Sequence, residues 1–195
     1  MQDLTVFVLA GGKSSRMGRD KAFLEFEGST LLQRALTLAH EIATEVCIVG
    51  DAQKFSPFGS VVADIFRDQG PLAGIHAALK ASHTDLNLML AVDLPFMEAR
   101  FLQHLITQAW ADSALATVPR SSDGWEPLCA VYRRGFADLA EKSLRDGINK
   151  IDALFNVART RVVDKTELLQ HGFSNEMFRN LNTPEEWQAA QSKQP

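Results

Sequence analysis

Leu4-Thr5-Val6-Phe7-Val8-Leu9-Ala10-Gly11-Gly12-Lys13-Ser14-Ser15-Arg16-Met17-Gly18-Arg19-Asp20-Lys21 is the stretch whose reading decides the fold. Leu4 to Leu9 is apolar at nearly every position, without in-out alternation, and it runs straight into a turn with two adjacent glycines. An unalternating run reads as a strand covered on both faces, which is the signature of a parallel sheet between helical layers. Further runs of strand length follow at Val46 to Val49, Val61 to Ile65, Leu88 to Val92, Leu115 to Val118 and Leu128 to Tyr132. Between several of them the apolar residues take the helical period, as in Leu31-Leu32-Ala35-Leu36-Leu38-Ala39-Ile42, Ala73-Ala77-Ala78-Leu79 and Phe101-Leu102-Leu105-Ile106-Ala109. The βαβ order predicts a three-layer, Rossmann-like α/β fold with a mainly parallel mixed sheet, and ligands at the carboxyl ends of its strands. From Tyr132 the helical pattern continues to about Phe155, a short strand is expected over Thr160 to Val163, and Thr183-Pro184 reads as the cap and first position of a last helix.

Composition narrows the function. The chain has 195 residues, 46% of them hydrophobic, with 20 Lys and Arg against 24 Asp and Glu and a net charge of -4. That length fits one domain over residues 1–195, and no linker or repeat divides it. The acidic balance gives no general attraction to nucleic acid or anionic lipid, so an anionic ligand needs a local cluster of donors. The longest apolar stretches, such as Leu88 to Val92, fall far short of the ~20 residues that span a bilayer, and the amino terminus has no basic leader. A soluble, cytoplasmic protein that does not engage membranes is expected. Cys47 and Cys129 each lie within an apolar run, which favours reduced thiols in the core over a disulfide frame or metal knuckle. The five histidines, at 40, 76, 83, 104 and 171, have no zinc-binding spacing and read as surface or helix-face residues.

The segment after the first strand carries the chemistry. Gly11 and Gly12 let the backbone turn sharply, and Lys13, Ser14, Ser15, Arg16 and Lys21 add hydroxyls and positive charge, a set that suits a triphosphate. The alternative is a solvated turn with incidental basic residues. Phe7 stands where the leading glycine of a P-loop belongs, and glycines at 11, 12 and 18 break the dinucleotide fingerprint. Asp93 follows the run Leu88 to Val92 and so falls at a strand's carboxyl edge, where one carboxylate suits Mg²⁺ completed by phosphate oxygens and water. Its other reading is a cap for the helix after Pro95.

Leu-Ala-Gly-Gly-x-Ser-x-Arg-Met-Gly-x-x-Lys, at residues 9–21, resembles the signature loop of nucleotidyltransferases with the sugar-nucleotide pyrophosphorylase fold. With Gly12 in that loop, Gly70-Pro71-Leu72-Ala73-Gly74, Asp93-Leu94-Pro95, Glu126-Pro127-Leu128-Cys129-Ala130-Val131-Tyr132 and Asn180-Leu181-Asn182-Thr183-Pro184-Glu185-Glu186, the chain is similar to the molybdenum cofactor guanylyltransferase family over nearly its whole length. The resemblance implies transfer of GMP from GTP to the terminal phosphate of molybdopterin or the molybdenum cofactor, with release of pyrophosphate. It implies Asp93 as the Mg²⁺ ligand and Lys21 on the departing phosphates, with Arg16 as a planar fork on the triphosphate or the acceptor phosphate. It further implies nucleotide contacts from Leu9, Ala10, Gly11, Gly12 and Asp64, or Asp68 in a shifted register, and places Gly70 and Gly74 under the base and ribose. Asn180, Asn182 and Lys150 would face the acceptor. Residues 1–100 would then form the nucleotide part and residues 101–195 the acceptor part. Proteins that deliver the pterin or receive the product are the macromolecular partners implied.

Three other readings stay open: a cytidylyltransferase of the same fold acting on the same cofactor, distinguished by the residue at position 12; a nucleotide-sugar pyrophosphorylase; and a non-catalytic module that keeps the fold. Lys21 and Asp93 together speak for chemistry rather than binding alone.

Overall fold

The structure, a computed structural model, describes residues 3–11 and 20–181. Its central sheet has seven strands in the order β5-β4-β1-β6-β8-β7-β9. β1 (Leu4–Leu9) pairs in parallel with β4 (Glu45–Val49) on one side and β6 (Leu86–Ala91) on the other, and β5 (Ser60–Val62) extends the parallel half. β8 (Cys129–Arg133) runs antiparallel between β6 and β7 (Ala116–Pro119), and β9 (Thr160–Val163) closes the far edge parallel to β7. The mainly parallel mixed sheet read from the sequence is therefore present. Every residue of β6 is buried, and so are the four inner residues of β1, because helices cover both faces.

On one face pack α1 (Leu31–Ile42), α4 (Ala99–Ala111), α7 (Lys165–Gln170) and the aromatic segment Phe173 to Leu181. On the other lie α3 (Pro71–Ala81), α5 (Phe136–Arg145) and α6 (Asp152–Phe155). α1 starts at a reciprocal capping box, in which the Thr30 hydroxyl accepts from Gln33 N and the Gln33 side chain accepts from Thr30 N. α3 has Pro71 at its first turn, where the missing N–H is harmless, after Gly70 at φ 73°, a left-handed conformation that favours glycine. No helix among the described residues is long and apolar enough to cross a membrane.

The structure shortens two expected elements. β5 ends at Val62, and Ile65 is 61% exposed: an edge strand paired only to β4 has no second ladder to prolong it. The helical pattern from Tyr132 to Phe155 breaks after Arg145, where Gly147 at φ 73° reverses the chain before α6. The apolar period survives that break because Ile148 and Ile151 keep it in the sequence, although Ile148 is half exposed. The strand expected over Thr160 to Val163 is found with those limits. The hairpin of β2 (Glu25–Phe26) and β3 (Ser29–Thr30), the short α2 (Ala52–Phe55) and α7 are too brief for periodicity to announce. The helix expected from Thr183 lies outside the described residues. Both cysteines are free thiols; Cys129 is fully buried, and Cys47, on β4, is only partly so. His76 departs furthest from the reading of the histidines, buried on α3 against the Phe66 ring.

Candidate active site

The four strands of the parallel half all end at one edge of the sheet, and the chain segments that follow them assemble the site. After β1, the N–H groups of Ala10 and Gly11 both donate to Val49 O, at 3.0 and 3.1 Å, and Leu9 O accepts from Val92 N at 3.2 Å. These bonds lock the ends of β1, β4 and β6 together. They also mean that Ala10 and Gly11 spend their backbone donors on the sheet. A Cβ on Gly11 would stand 3.7 Å from the Gly50 backbone, so two glycines face each other across the strand ends.

Lys21 begins a single helical turn whose first N–H groups are capped by Asp20, which accepts from Ala22 N at 3.1 Å and pairs with Lys54 of α2 at 3.1 Å. Phe23 of the same turn stacks on Phe55 of α2 at 5.8 Å. Phe55 in turn fills the space over Gly50, where a Cβ would fall 2.7 Å from its ring. Gly50, Phe55, Asp20 and Lys54 thus fix the turn that aims Lys21, and motif reading missed all four. A glycine directly after the run Val46 to Val49 was the available signal.

Lys21 Nζ reaches Asp93 Oδ2 at 3.2 Å, with the two side chains 19% and 24% exposed. The pair is sheltered yet open to a ligand. Asp93 lies in the turn after β6, and α4 takes Glu98 as its cap residue, so the helix-cap reading of Asp93 falls away. The turn is held by Met97 N on Leu94 O at 3.2 Å and by Arg34 of α1, whose guanidinium donates to Pro95 O at 3.3 Å while pairing with Glu27. Among the described residues no cluster of three His, Cys, Asp or Glu could hold a metal by protein ligands alone. A lone Asp93 carboxylate fits a hard cation that keeps water and phosphate oxygens as its other ligands.

Asp64 lies two residues beyond β5 and is partly buried, and burial pushes its carboxyl above the ordinary carboxylate range. A Cβ on Gly74 would meet Asp64 Oδ1 at 3.6 Å and Val49 Cγ1 at 3.4 Å. These are ordinary contacts, and the glycine leaves open the space that a side chain would fill. Asp68 is exposed, with φ 61°, and contributes none of the atoms within 4 Å of a Cβ on Gly74. Lys150 and Asn180 are both exposed. Their buried neighbours Ile151 and Leu181 belong to opposite faces of the sheet. Gly12, Arg16 and Asn182 lie outside the described residues.

β8 enters the sheet at the edge where the parallel strands leave it, as Ala91 N donating to Leu128 O at 2.8 Å attests. The connection from β7 to β8 therefore overhangs the same edge as Asp93. There Ser121 Oγ donates to Glu126 Oε1 at 2.6 Å and accepts from Asp123 N at 3.0 Å. Burial raises the Glu126 carboxyl, against the lowering effect of the Ser121 bond.

A doubly wound sheet with glycine turns, a lysine–carboxylate pair and a second carboxylate at one strand edge defines an α/β nucleotidyltransferase. The family model described as the MobA-like NTP transferase domain matches residues 6–162, and the chain belongs to that family. It is 31% identical over 195 residues to the molybdenum cofactor guanylyltransferase of Desulfosudis oleivorans, covering 98% of this chain and 96% of the relative. It is 31% identical over 184 residues to the enzyme of the same name from Syntrophotalea carbinolica, covering 93% and 87%. Among solved structures it is similar to molybdopterin-guanine dinucleotide biosynthesis protein A from Archaeoglobus fulgidus, with a TM-score of 0.85, 28% identity and coverage of 96% and 97%.

Proposed function

We propose that this enzyme transfers GMP from GTP to the terminal phosphate of molybdopterin or its molybdenum-bearing form, releasing pyrophosphate and forming a guanine dinucleotide. The observation that carries the reading is the Lys21–Asp93 pair at the carboxyl edge of β6, in a chain that shares its family and nearly its full length with molybdenum cofactor guanylyltransferases. The acceptor phosphate oxygen is anionic and needs no general base. The protein's task is to align that oxygen with the α-phosphorus and to offset charge on the leaving pyrophosphate, and positioning and electrostatics each supply several kcal/mol in such displacements.

In this reading Asp93 holds Mg²⁺, which when bound neutralises phosphate charge and polarises the phosphorus. Lys21 exchanges its bond to Asp93 for the β- and γ-phosphates. Arg16 adds a bidentate contact to the triphosphate or to the incoming phosphate. Leu9, Ala10, Gly11 and Gly12 flank the nucleotide, Asp64 takes its ribose or base, and Gly70 and Gly74 give it room. The space beside Gly74 favours Asp64 over Asp68 for that contact. Lys150 and Asn180, beside residues packed on opposite faces of the sheet, contact the acceptor in this reading, together with Asn182. Cytoplasmic localisation accords with a biosynthetic enzyme of this kind.

Pyrophosphate release, measured with each of the four nucleoside triphosphates with and without molybdopterin, tests the reading. Turnover confined to GTP plus molybdopterin is the expected result. Turnover with CTP would move the enzyme to the cytidylyltransferases, turnover with a sugar phosphate to the nucleotide-sugar pyrophosphorylases, and binding without turnover would make it a module.

A further inference from the structure

Arginines in this protein are mostly neutralised where they stand. Arg34, Arg100, Arg133, Arg145, Arg159, Arg161 and Arg179 each pair with a carboxylate. Arg120, like Arg67 and Arg134, forms no ion pair with any described residue, yet it is not loose. Its guanidinium carbon lies 5.1 Å from the centre of the Trp125 ring, and Trp125 leans on Phe155 of α6 at 5.0 Å, which ties the stack to the core. Its backbone is fixed as well, since Arg120 N donates to Val163 O at 2.9 Å and Arg120 bridges to Trp125 across the loop.

The loop between them is pinned. Ser121 N donates to Gly124 O at 2.8 Å, Ser122 N to Asn175 Oδ1 at 3.1 Å, and the Ser121 hydroxyl occupies Glu126, so the nearby carboxyl is engaged elsewhere. Arg120 directly follows β7, on the carboxyl edge that also carries Asp93. β7 is two strands from β6, a lateral separation of about 10 Å at ordinary strand spacing. An exposed guanidinium held over an aromatic ring, with no carboxylate partner among the described residues, is a preorganised fork for a phosphate, because part of the ordering cost is met before the ligand arrives.

We propose that Arg120, held on Trp125, binds the phosphate monoester of the acceptor and aligns it for attack on the α-phosphorus. The proposal rests on the guanylyl-transfer reading above. It places the acceptor's charged end under β7 and β8 and leaves the nucleotide to the parallel half.

The test is steady-state kinetics of pyrophosphate release with GTP and molybdopterin as varied substrates. Arg120→Ala should raise the KM for molybdopterin by roughly 10- to 100-fold, the loss expected for a charge-assisted contact, and leave the KM for GTP unchanged. Arg120→Lys, which keeps the charge without the fork, should fall between. Trp125→Phe should resemble wild type, because a ring remains beneath the guanidinium. Arg134→Ala, at the opposite edge of the sheet, serves as the neutral control. An active wild type with an unaltered molybdopterin KM in Arg120→Ala overturns the assignment alone, as does a rise confined to the GTP KM. A wild type inert with GTP and molybdopterin overturns the guanylyl-transfer reading, and this assignment with it.

Discussion

The two halves of the sheet reach the same edge by different routes. In the half formed by β5, β4, β1 and β6, every strand runs toward the site, so each delivers a chain reversal there, and those reversals are set by backbone bonds and glycines: Ala10 and Gly11 on Val49, Gly50 N on Val62 O, Gly70 in a left-handed turn. In the half formed by β8, β7 and β9, the antiparallel β8 starts at that edge, and the connection that leads into it from β7 is held by side chains: Ser121 on Glu126, Asn175 on Ser122, Arg120 on Trp125. Parallel winding builds a shallow cradle of backbone suited to a nucleotide. The hairpin instead projects side chains, which can be varied without disturbing the cradle. Substitutions in the first half should therefore change nucleotide handling, and those in the second should change the acceptor.

The sharpest way to break this division is Asp93→Ala. Turnover should fall by roughly 10²–10³-fold or more, the scale of removing a group that stabilises transition-state charge, while thermal unfolding stays close to wild type because the side chain is partly exposed. Near-normal rates over a Mg²⁺ titration would take the metal away from this strand end. Lys21→Ala should cost on the order of 10²-fold in kcat/KM for GTP, far beyond Lys13→Ala, and equal losses would mean that the loop is wrongly placed. Asp64→Asn should raise the KM for GTP by about tenfold and Asp68→Asn should barely move it, on the scale of one charged hydrogen bond; the reverse order would shift the register of the contact.

Gly50→Ala should destabilise the fold by about 1–3 kcal/mol, read by urea denaturation, since the new methyl meets the Phe55 ring at 2.7 Å. It should also slow turnover through the Phe55–Phe23 stack that carries Lys21, and an unaffected rate would uncouple that stack from the site. Smallest is the effect of Glu126→Gln. Burial raises the carboxyl of Glu126 in the folded protein, so its contribution to stability is present below the ordinary carboxylate range and is lost as pH rises through the raised value. The glutamine does not titrate. Its melting temperature should exceed that of wild type near neutrality and lose that advantage in acid; a constant difference at all pH values would assign the effect to packing.

Much of the parallel half is legible in the sequence because its determinants are local. The apolar run into paired glycines at Leu9 to Gly12, the Gly70-Pro71 turn and an aspartate closing a buried strand each identify themselves within a few residues. Asp93 was placed at a strand edge from the preceding run alone, and the structure puts it there against Lys21. The half that holds the antiparallel β8 is less legible. Trp125 carries no periodic signal, and its value depends on Phe155 and Arg120, which approach it from two other segments. Gly50 reads as an ordinary strand end until Phe55 is seen above it.

By itself the sequence determined the winding of the sheet, the edge where its turns gather and the residue types found there, because strand burial and turn chemistry are written in neighbouring residues. The tertiary structure alone decided which of those residues meet: Lys21 with Asp93 across 72 positions, Asp64 beside Gly74, and Arg120 with the Trp125 ring. Such pairings depend on distances between chain segments far apart in sequence, and no local propensity encodes them.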